Sequence, residues 1–120
     1  MPLDQRFFPI MRLRRRADFK RTYERRCTAA DEVLLIFANR NGLDLPRLGL
    51  SVSRKVGPAV VRNRWKRRLR EAFRLDRHEL PQGVDFVVIP KASVEPEFTL
   101  LRDSLLRLAR RAARKIKNEG

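Results

Sequence analysis

Six of the nine residues from 62 to 70 are lysine or arginine, side chains whose charge and hydrogen-bond donors suit phosphate groups. A run this cationic is usually a solvated tail. Here, however, apolar residues recur through and beyond it at helical spacing and fall on one side of a helical wheel: Val61, Trp65, Leu69, Ala72 and Phe73. The pattern predicts a helix over residues 58–75, with one face in a core and cations on the other faces. An ordered cationic helix of this kind favours a polyanion of defined shape, and RNA before any other.

The whole chain has the same charge bias. Its 120 residues suit a single domain, and 29 Lys and Arg against 14 Asp and Glu give a formal net charge of +15. Such an excess opposes compaction by self-repulsion, so a polyanionic partner is the natural explanation. No apolar run approaches the roughly 20 residues of a membrane span, and the N-terminus does not read as a secretory signal. The single Cys27 cannot form an internal disulfide, and we expect a cytoplasmic protein.

Hydrophobic periodicity and turn residues predict six elements. We expect a loose N-terminal arm at residues 1–12, in which Phe7, Phe8 and Ile10 are the apolar residues, one domain at 13–115 and a C-terminal tail at 116–120. Within the domain the pattern predicts helices at about residues 15–25, 58–75 and 96–115, and strands at about 33–38, 48–52 and 84–89. The last helix has an apolar stripe at spacings of three and four, which predicts one core face: Phe98, Leu101, Leu105, Leu108 and Ala112. The order helix, strand, strand, helix, strand, helix indicates an α+β fold, a two-layer α/β sandwich of one small mixed sheet and packed helices.

Independent catalysis by the chain is not indicated. His78 has no second histidine or cysteine at metal-ligand spacing, and Cys27 has only that distant histidine as a possible base. The acidic residues are scattered without the pairing that two-metal nucleases need, and the glycines are too far apart for a phosphate-binding loop. We therefore predict no catalytic residue and no metal site in the protein, and expect any chemistry to belong to a partner.

The stretch from residue 51 to residue 73 resembles the protein subunit of bacterial ribonuclease P. In that family a strand ending in Ser-x-(Lys/Arg)-Lys is followed by Gly-x-Ala-Val, by Arg-Asn-Arg and by further basic residues in a helix. This chain reads Ser-Val-Ser-Arg-Lys at 51–55, Gly-Pro-Ala-Val at 57–60 and Arg-Asn-Arg at 62–64. The resemblance covers about residues 12–110 and includes the aromatics Phe19 and Tyr23 of the first predicted helix.

The resemblance implies a fold, a partner and a reaction. The fold is an α/β sandwich with a left-handed βαβ crossover, against the usual right-handed rule. The partners are the catalytic ribonuclease P RNA and precursor tRNA, and the RNA hydrolyses the phosphodiester that releases the 5′ leader. Mg²⁺ would be bound mainly by the RNA and the substrate. The protein alone would be inactive and would act as a subunit of the endoribonuclease.

Two sets of residues match the family's binding surfaces. The basic motif, which would lie near the catalytic RNA, comprises Lys55, Arg62, Asn63, Arg64, Lys66, Arg67 and Arg70. The cleft that would receive the single-stranded leader comprises Phe19, Tyr23, Phe37, Ser51 and Ser53. From the pattern alone, Phe19 and Tyr23 are read more readily as core residues than as binding residues, since aromatics four apart on a helix usually face a core. Phe37 fits a core strand residue equally well, and the serines fit ordinary strand-surface polarity equally well. Trp65 lies at the centre of the apolar helix face and is assigned to structure.

The chain departs from the family pattern in two places. The first helix commonly ends with glycine, where this chain has Arg26, and Pro58 occupies a variable position after Gly57. The first departure leaves the turn after Tyr23 undetermined. Composition alone fits a structural ribosomal-RNA-binding protein equally well, while a DNA-binding module is disfavoured because no short helix-turn-helix is visible. The order of the aromatic, serine-lysine and Arg-Asn-Arg features favours the ribonuclease P reading.

Overall fold

The structure, a computed structural model, describes residues 11–91 and 95–118, the last two by backbone only. The predicted features at Phe7, Phe8 and Ile10 therefore lie outside the described residues. The helices are α1 (Arg16–Arg25), α2 (Ala59–Leu75) and α3 (Phe98–Asn118), and the strands are β1 (Cys27–Ala30), β2 (Leu34–Arg40), β3 (Arg47–Leu50) and β4 (Val84–Pro90). The described part of the chain contains no helix long and apolar enough to cross a membrane.

The four strands form one mixed sheet in the order β1-β2-β4-β3. The pairs β1–β2 and β2–β4 are antiparallel, whereas β3 and β4 are parallel. Parallel neighbours need a crossover connection, and α2 provides it. The predicted α+β fold with a mixed sheet is confirmed, while the left hand of the crossover stays an expectation of the resemblance.

The core lies between the sheet and the pair α2 and α3. On β2, Leu34, Ile36 and Ala38 are completely buried, as period-2 alternation predicts for the core face. The predicted apolar stripes of both helices meet them there: Trp65, Leu69, Ala72 and Phe73 from α2, and Leu101, Leu105, Leu108 and Ala112 from α3. Phe37 faces the other way, toward α1, and its ring meets a ring of that helix.

Three features differ from the predicted elements. β1 was not predicted, because Cys-Thr-Ala-Ala is only four residues long and shows no apolar alternation. Met11 is fully buried and Arg12 bridges to Leu48 on β3, so the body of the protein begins before residue 13. At the other end, α3 runs on to Asn118 and Ile116 is 2% exposed, so the predicted tail at 116–120 begins inside the helix.

Candidate nucleic-acid interface

The basic helix begins at a position that requires glycine. Gly57 has φ 153° and ψ −174°, a backbone conformation almost restricted to glycine. A Cβ there would also lie 3.1 Å from Val61. Pro58 follows as the N-cap residue of α2, and Arg62 donates from Nε to the Gly57 carbonyl at 3.2 Å. The start of the helix, and with it the direction of its first cations, is therefore fixed by local backbone geometry.

The predicted motif residues line the outer faces of α2 and its approach. Lys55, Asn63, Arg64 and Arg67 are exposed, and Arg62, Lys66 and Arg70 are half-buried. Trp65 is completely buried, as its assignment to structure requires. The core anchors this helix and leaves its charged side chains at the surface, an arrangement suited to binding phosphates.

An acidic residue, Glu95, lies within this cationic surface, and no pattern in the sequence predicted its position there. Arg64 donates from Nε to its Oε1 at 2.6 Å. Arg68 Nε lies 2.9 Å from Oε2, although that contact does not have hydrogen-bond geometry. The Glu95 side chain is only 11% exposed. One carboxylate thus lies between two arginines of α2, where an incoming phosphate would make the same kind of contact.

Arg70 extends the cationic surface toward the N-terminal segment. Burial lowers the pKa of the Arg70 guanidinium, and the nearby positive charge of Arg12 lowers it further. Two cations from segments far apart in sequence therefore lie close enough to repel each other. Such crowding of like charge is relieved when an anion binds between or beside them.

The three predicted aromatics form one cluster, called here the ring cluster. The rings of Phe19 and Tyr23, one turn apart on α1, have centroids 6.4 Å apart at an interplanar angle of 45°. Tyr23 meets Phe37 of β2 edge-on, at 5.0 Å and 86°. All three side chains are half-buried. They are therefore packed well enough to be fixed in place, while part of their surface remains accessible.

A glycine on β3 allows α1 to approach the sheet this closely. A Cβ on Gly49 would lie 2.8 Å from the end of the Phe19 ring and 2.9 Å from Leu13. Any other residue at this position would push the ring away from the strand. The absence of a side chain at Gly49 thus sets the depth at which Phe19 lies.

An ion-pair network secures α1 to the same strands. Arg47 donates from Nε and Nη2 to the two carboxylate oxygens of Asp85, both at 2.7 Å. This hydrogen bonding raises the pKa of Arg47 above its ordinary value. The buried Asp18 of α1 is paired with Arg21 and lies 3.9 Å from Arg47. Arg47 therefore links α1, β3 and β4 beneath the ring cluster.

The predicted serines lie at the exit of β3. The Ser51 N–H donates to the Val88 carbonyl at 3.0 Å, so the alternation of β3 continues one residue further and places Ser51 on the Gly49 side of the sheet. Ser53 is exposed and its carbonyl accepts from Val56 in the short 3₁₀ turn that precedes α2. Neither serine belongs to the ring cluster, but both lie on the path between β3 and the basic helix.

Arg26 forms the turn that the sequence left undetermined. Its φ of 57° and ψ of 23° are left-handed, and its N–H donates to the Tyr23 carbonyl at 3.2 Å. This is the helix-terminating conformation that glycine usually adopts. The chain therefore keeps the geometry of the turn with an arginine, and β1 begins immediately afterwards.

The described residues contain no group of three or more His, Cys, Asp or Glu side chains placed to hold a metal ion. The Cys27 thiol is buried. His78 is exposed in the turn after α2.

Comparison with known proteins identifies the family. The family profile for ribonuclease P matches residues 8–113. The ribonuclease P protein component of Alkaliphilus oremlandii is 34% identical over 103 residues, covering 85% of this chain and 90% of the relative. That of Caldanaerobacter subterraneus is 38% identical over 103 residues, with 85% and 89% covered.

A solved structure agrees with these sequence matches. The RNase P protein from Thermotoga maritima superposes with a TM-score of 0.77 at 37% identity, covering 83% of this chain and 96% of that one. Matches that span nearly the whole of these proteins decide against the ribosomal and DNA-binding alternatives. The chain belongs to the ribonuclease P protein family, whose members are the protein subunit of the ribonucleoprotein that processes tRNA 5′ ends.

Proposed function

We propose that this chain promotes 5′ leader removal through two surfaces, with the basic motif on the catalytic RNA and the ring cluster on the leader. The observation that carries the second half is the convergence of Phe19, Tyr23 and Phe37 from two elements into one half-buried cluster. Rigid aromatic rings stack unpaired bases at about 1–3 kcal/mol per base, without strong sequence preference. A leader of variable sequence needs this kind of recognition. Ser51 and Ser53 would line the path of the strand.

The basic motif would act on the catalytic RNA by neutralising phosphates. Precursor tRNA and ribonuclease P RNA are both polyanions, and they repel each other where they meet. Arg64, Arg67 and Lys55 are exposed, and they would bind backbone phosphates and screen this repulsion.

Mg²⁺ enters this proposal as an ion held mainly by the RNA and the substrate. The donors on the basic surface are guanidinium, ammonium and amide groups, and hard divalent cations instead prefer carboxylate and other oxygen ligands. The contribution of the protein to metal binding would therefore be indirect. By neutralising phosphates it would reduce the concentration of Mg²⁺ that the complex needs. A cytoplasmic location, where precursor tRNA is made, belongs to the same proposal.

The first test is precursor-tRNA cleavage by a bacterial ribonuclease P RNA at low Mg²⁺, with and without the purified protein. We expect cleavage only when both are present, and none from the protein alone. Absence of stimulation by a folded protein with a matched RNA would contradict the proposed role.

Substitutions separate the two surfaces. Phe19→Ala or Tyr23→Ala should weaken binding of leader-bearing precursor by about 5- to 100-fold and leave mature tRNA nearly unchanged. Arg64→Ala should weaken RNA assembly or raise the Mg²⁺ requirement for both substrates, with Arg111→Ala, an exposed residue of α3, as the charge-matched control. Equal losses for both substrates in the ring variants would mark the rings as structural.

A further inference from the structure

A cationic cavity lies away from both proposed surfaces. It has a volume of about 410 Å³ and opens between the end of β2, the turn at residues 81–83 and the C-terminal half of α3. Its floor is apolar and consists of Val84, Ala113 and Ile116, which are 8%, 7% and 2% exposed. The volume lies within the roughly 300–1,000 Å³ typical of small-molecule sites.

Three arginines surround this floor, namely Arg40, Arg110 and Arg114, and none of the described lining residues is acidic. Arg110 is fixed by bonds to the Glu79 carbonyl at 3.1 Å and to its carboxylate at 3.0 Å. Arg40 and Arg114 are exposed, and neither side chain makes a hydrogen bond or ion pair within the described part of the chain. Two cations thus remain available beside an apolar floor.

The arginines of α3 that lack acidic partners among the described residues lie toward its C-terminal half, where the cavity is. In its first half Arg102 is paired with Asp76 and Arg107 with Asp31. After Arg110, the exposed Arg114 has no acidic partner among the residues that the structure describes. Cations near a helix C-terminus are favoured by the helix dipole. The dipole does not, however, account for Arg40, which reaches the same cavity from the sheet.

The walls of the cavity are preformed. The Gln82 side-chain amide donates to the carbonyls of Arg77 at 2.9 Å and Leu80 at 2.8 Å, and the Gly83 carbonyl accepts from Asn41 at 3.0 Å. The turn into β4 is therefore held by hydrogen bonds at several points. A ligand entering here would not have to order the turn first.

Topology separates this cavity from the basic motif and the ring cluster. Because α2 connects parallel strands, it begins near the carboxyl ends of β3 and β4 and ends near the amino end of β4, where the cavity lies. A helix of 17 residues spans about 25 Å, which separates the cavity from the start of the basic motif at Lys55 and Arg62. Arg40 lies an odd number of residues from Phe37 on β2, which places it on the opposite face of the sheet.

We propose that this cavity binds one nucleotide of an RNA strand, an inference that rests on the proposed function. Arg40 and Arg114 would hold the phosphate, and the apolar floor would take the ribose or an unstacked base. The nucleotide could come from ribonuclease P RNA or from precursor tRNA outside the leader, since the chemistry is the same. The protein would then contact RNA near both ends of α2, in addition to the contact at the ring cluster.

The test compares the double variant R40Q/R114Q with R14Q/R111Q, which removes the same charge at exposed residues that do not line the cavity. Equal thermal unfolding temperatures would establish that both are folded. We expect R40Q/R114Q to weaken RNA binding by about 5- to 30-fold. The slope of log affinity against log salt concentration should also become shallower by about 1–2. Loss of affinity for ribonuclease P RNA identifies that RNA as the source. Loss only for precursor tRNA, measured on the preassembled holoenzyme, identifies the substrate.

Equal effects of the two double variants, or no effect of either, would overturn the inference, because the cavity would then act only through overall charge or not at all. A second measurement uses the protein without RNA. Adenosine monophosphate should shift the methyl NMR signals of Val84, Ala113 and Ile116 in the wild type and not in R40Q/R114Q. Unmoved methyl signals at millimolar nucleotide would likewise count against the site. Cleavage stimulation by the wild type tests the proposed function separately, so a failure of either idea can be recognised.

Discussion

At the scale of single residues, Glu95 has the clearest functional consequence. Its carboxylate contacts Arg64 and Arg68 and would have to share them with an RNA phosphate. Removing the negative charge should strengthen attraction between α2 and RNA. We predict that Glu95→Gln raises affinity for ribonuclease P RNA by about three- to tenfold at low salt, since one charge contact near a protein surface is worth on the order of 1 kcal/mol.

The control for this prediction is Glu97→Gln, which changes the same charge two residues away at an exposed position. Filter binding across a salt series measures both variants. Weaker binding by Glu95→Gln than by Glu97→Gln would instead mean that Glu95 holds the two arginines in the geometry that RNA requires.

Arg26 is a second residue whose local geometry leads to a prediction. It has a positive φ, which is disfavoured for any residue with a Cβ. Glycine relieves that strain but adds freedom to the unfolded chain. We predict that Arg26→Gly raises the free energy of unfolding by about 0.5–1 kcal/mol, measured by urea denaturation. Arg26→Ala keeps the Cβ and should give no such gain; an equal gain from alanine would trace the effect to loss of charge.

At the scale of elements, Asp31 joins the β1–β2 turn to α3. Its Oδ1 accepts from the N–H groups of Val33 and Leu34, and its Oδ2 from Ser104 at 2.7 Å and Arg107 at 2.8 Å. Burial by itself would raise the pKa of Asp31, but the hydrogen bonds from Leu34, Ser104, Val33 and Arg107 outweigh it, and the pKa is lowered. The folded state therefore favours the ionised carboxylate.

The sign of the pH dependence follows. The pKa of Asp31 is lower in the folded than in the unfolded chain. The ionised carboxylate therefore stabilises the folded state fully above about pH 4, and this stabilisation is lost as the pH falls below that value. We predict that Asp31→Asn lowers the free energy of unfolding by about 1–3 kcal/mol at pH 7, and that the deficit shrinks toward pH 3. Urea unfolding at several pH values measures this, with the exposed Glu32→Gln as control. A deficit independent of pH would exclude ionisation as its cause.

The elements that the sequence predicted are those with a clear local pattern, either a helical or strand period or a short run of apolar residues. The apolar stripes of α2 and α3 predicted both helices and their buried faces, because amphipathic spacing follows directly from burial. β1 was missed because its pairing with β2, from Cys27 opposite Ala38 to Ala30 opposite Leu35, depends on the partner strand rather than on its own composition. The strand order was likewise not visible from local pattern.

For the candidate site, the sequence provided residues but not distances. The family motif named the cations of α2 and the three aromatics, and the structure places those aromatics in contact. Glu95 could not be found in this way, because it reaches Arg64 from 31 residues away along the chain. The depth of Phe19 depends on Gly49, and a glycine within a strand does not reveal which side chain will fill the space above it.

At the scale of the whole molecule, the net charge of +15 should affect folding and binding in opposite directions. Salt screens repulsion among the cations, and it also competes with them for phosphates. We predict that raising monovalent salt from about 50 to 200 mM raises the unfolding temperature of the protein alone. Over the same range RNA affinity should fall by about 10³- to 10⁵-fold, if about 6–10 phosphates are contacted.

Differential scanning fluorimetry measures the first effect and filter binding the second. A nearly flat salt response of RNA affinity would contradict the electrostatic basis of binding. An unfolding temperature that falls with added salt would show that attractive ion pairs, such as Arg47 with Asp85, outweigh the repulsion.

The position of β4 has a consequence for how the chain is made on the ribosome. β4 lies between β2 and β3, yet its residues 84–90 are translated after both of those strands and after α2. Until β4 emerges, β3 has no neighbouring strand of the sheet, and the apolar face of α2 has no completed core to cover it. Non-local pairing of this kind is slow to form and leaves apolar surface exposed. The nascent chain must therefore carry the basic helix α2, not yet docked, through surroundings rich in ribosomal RNA.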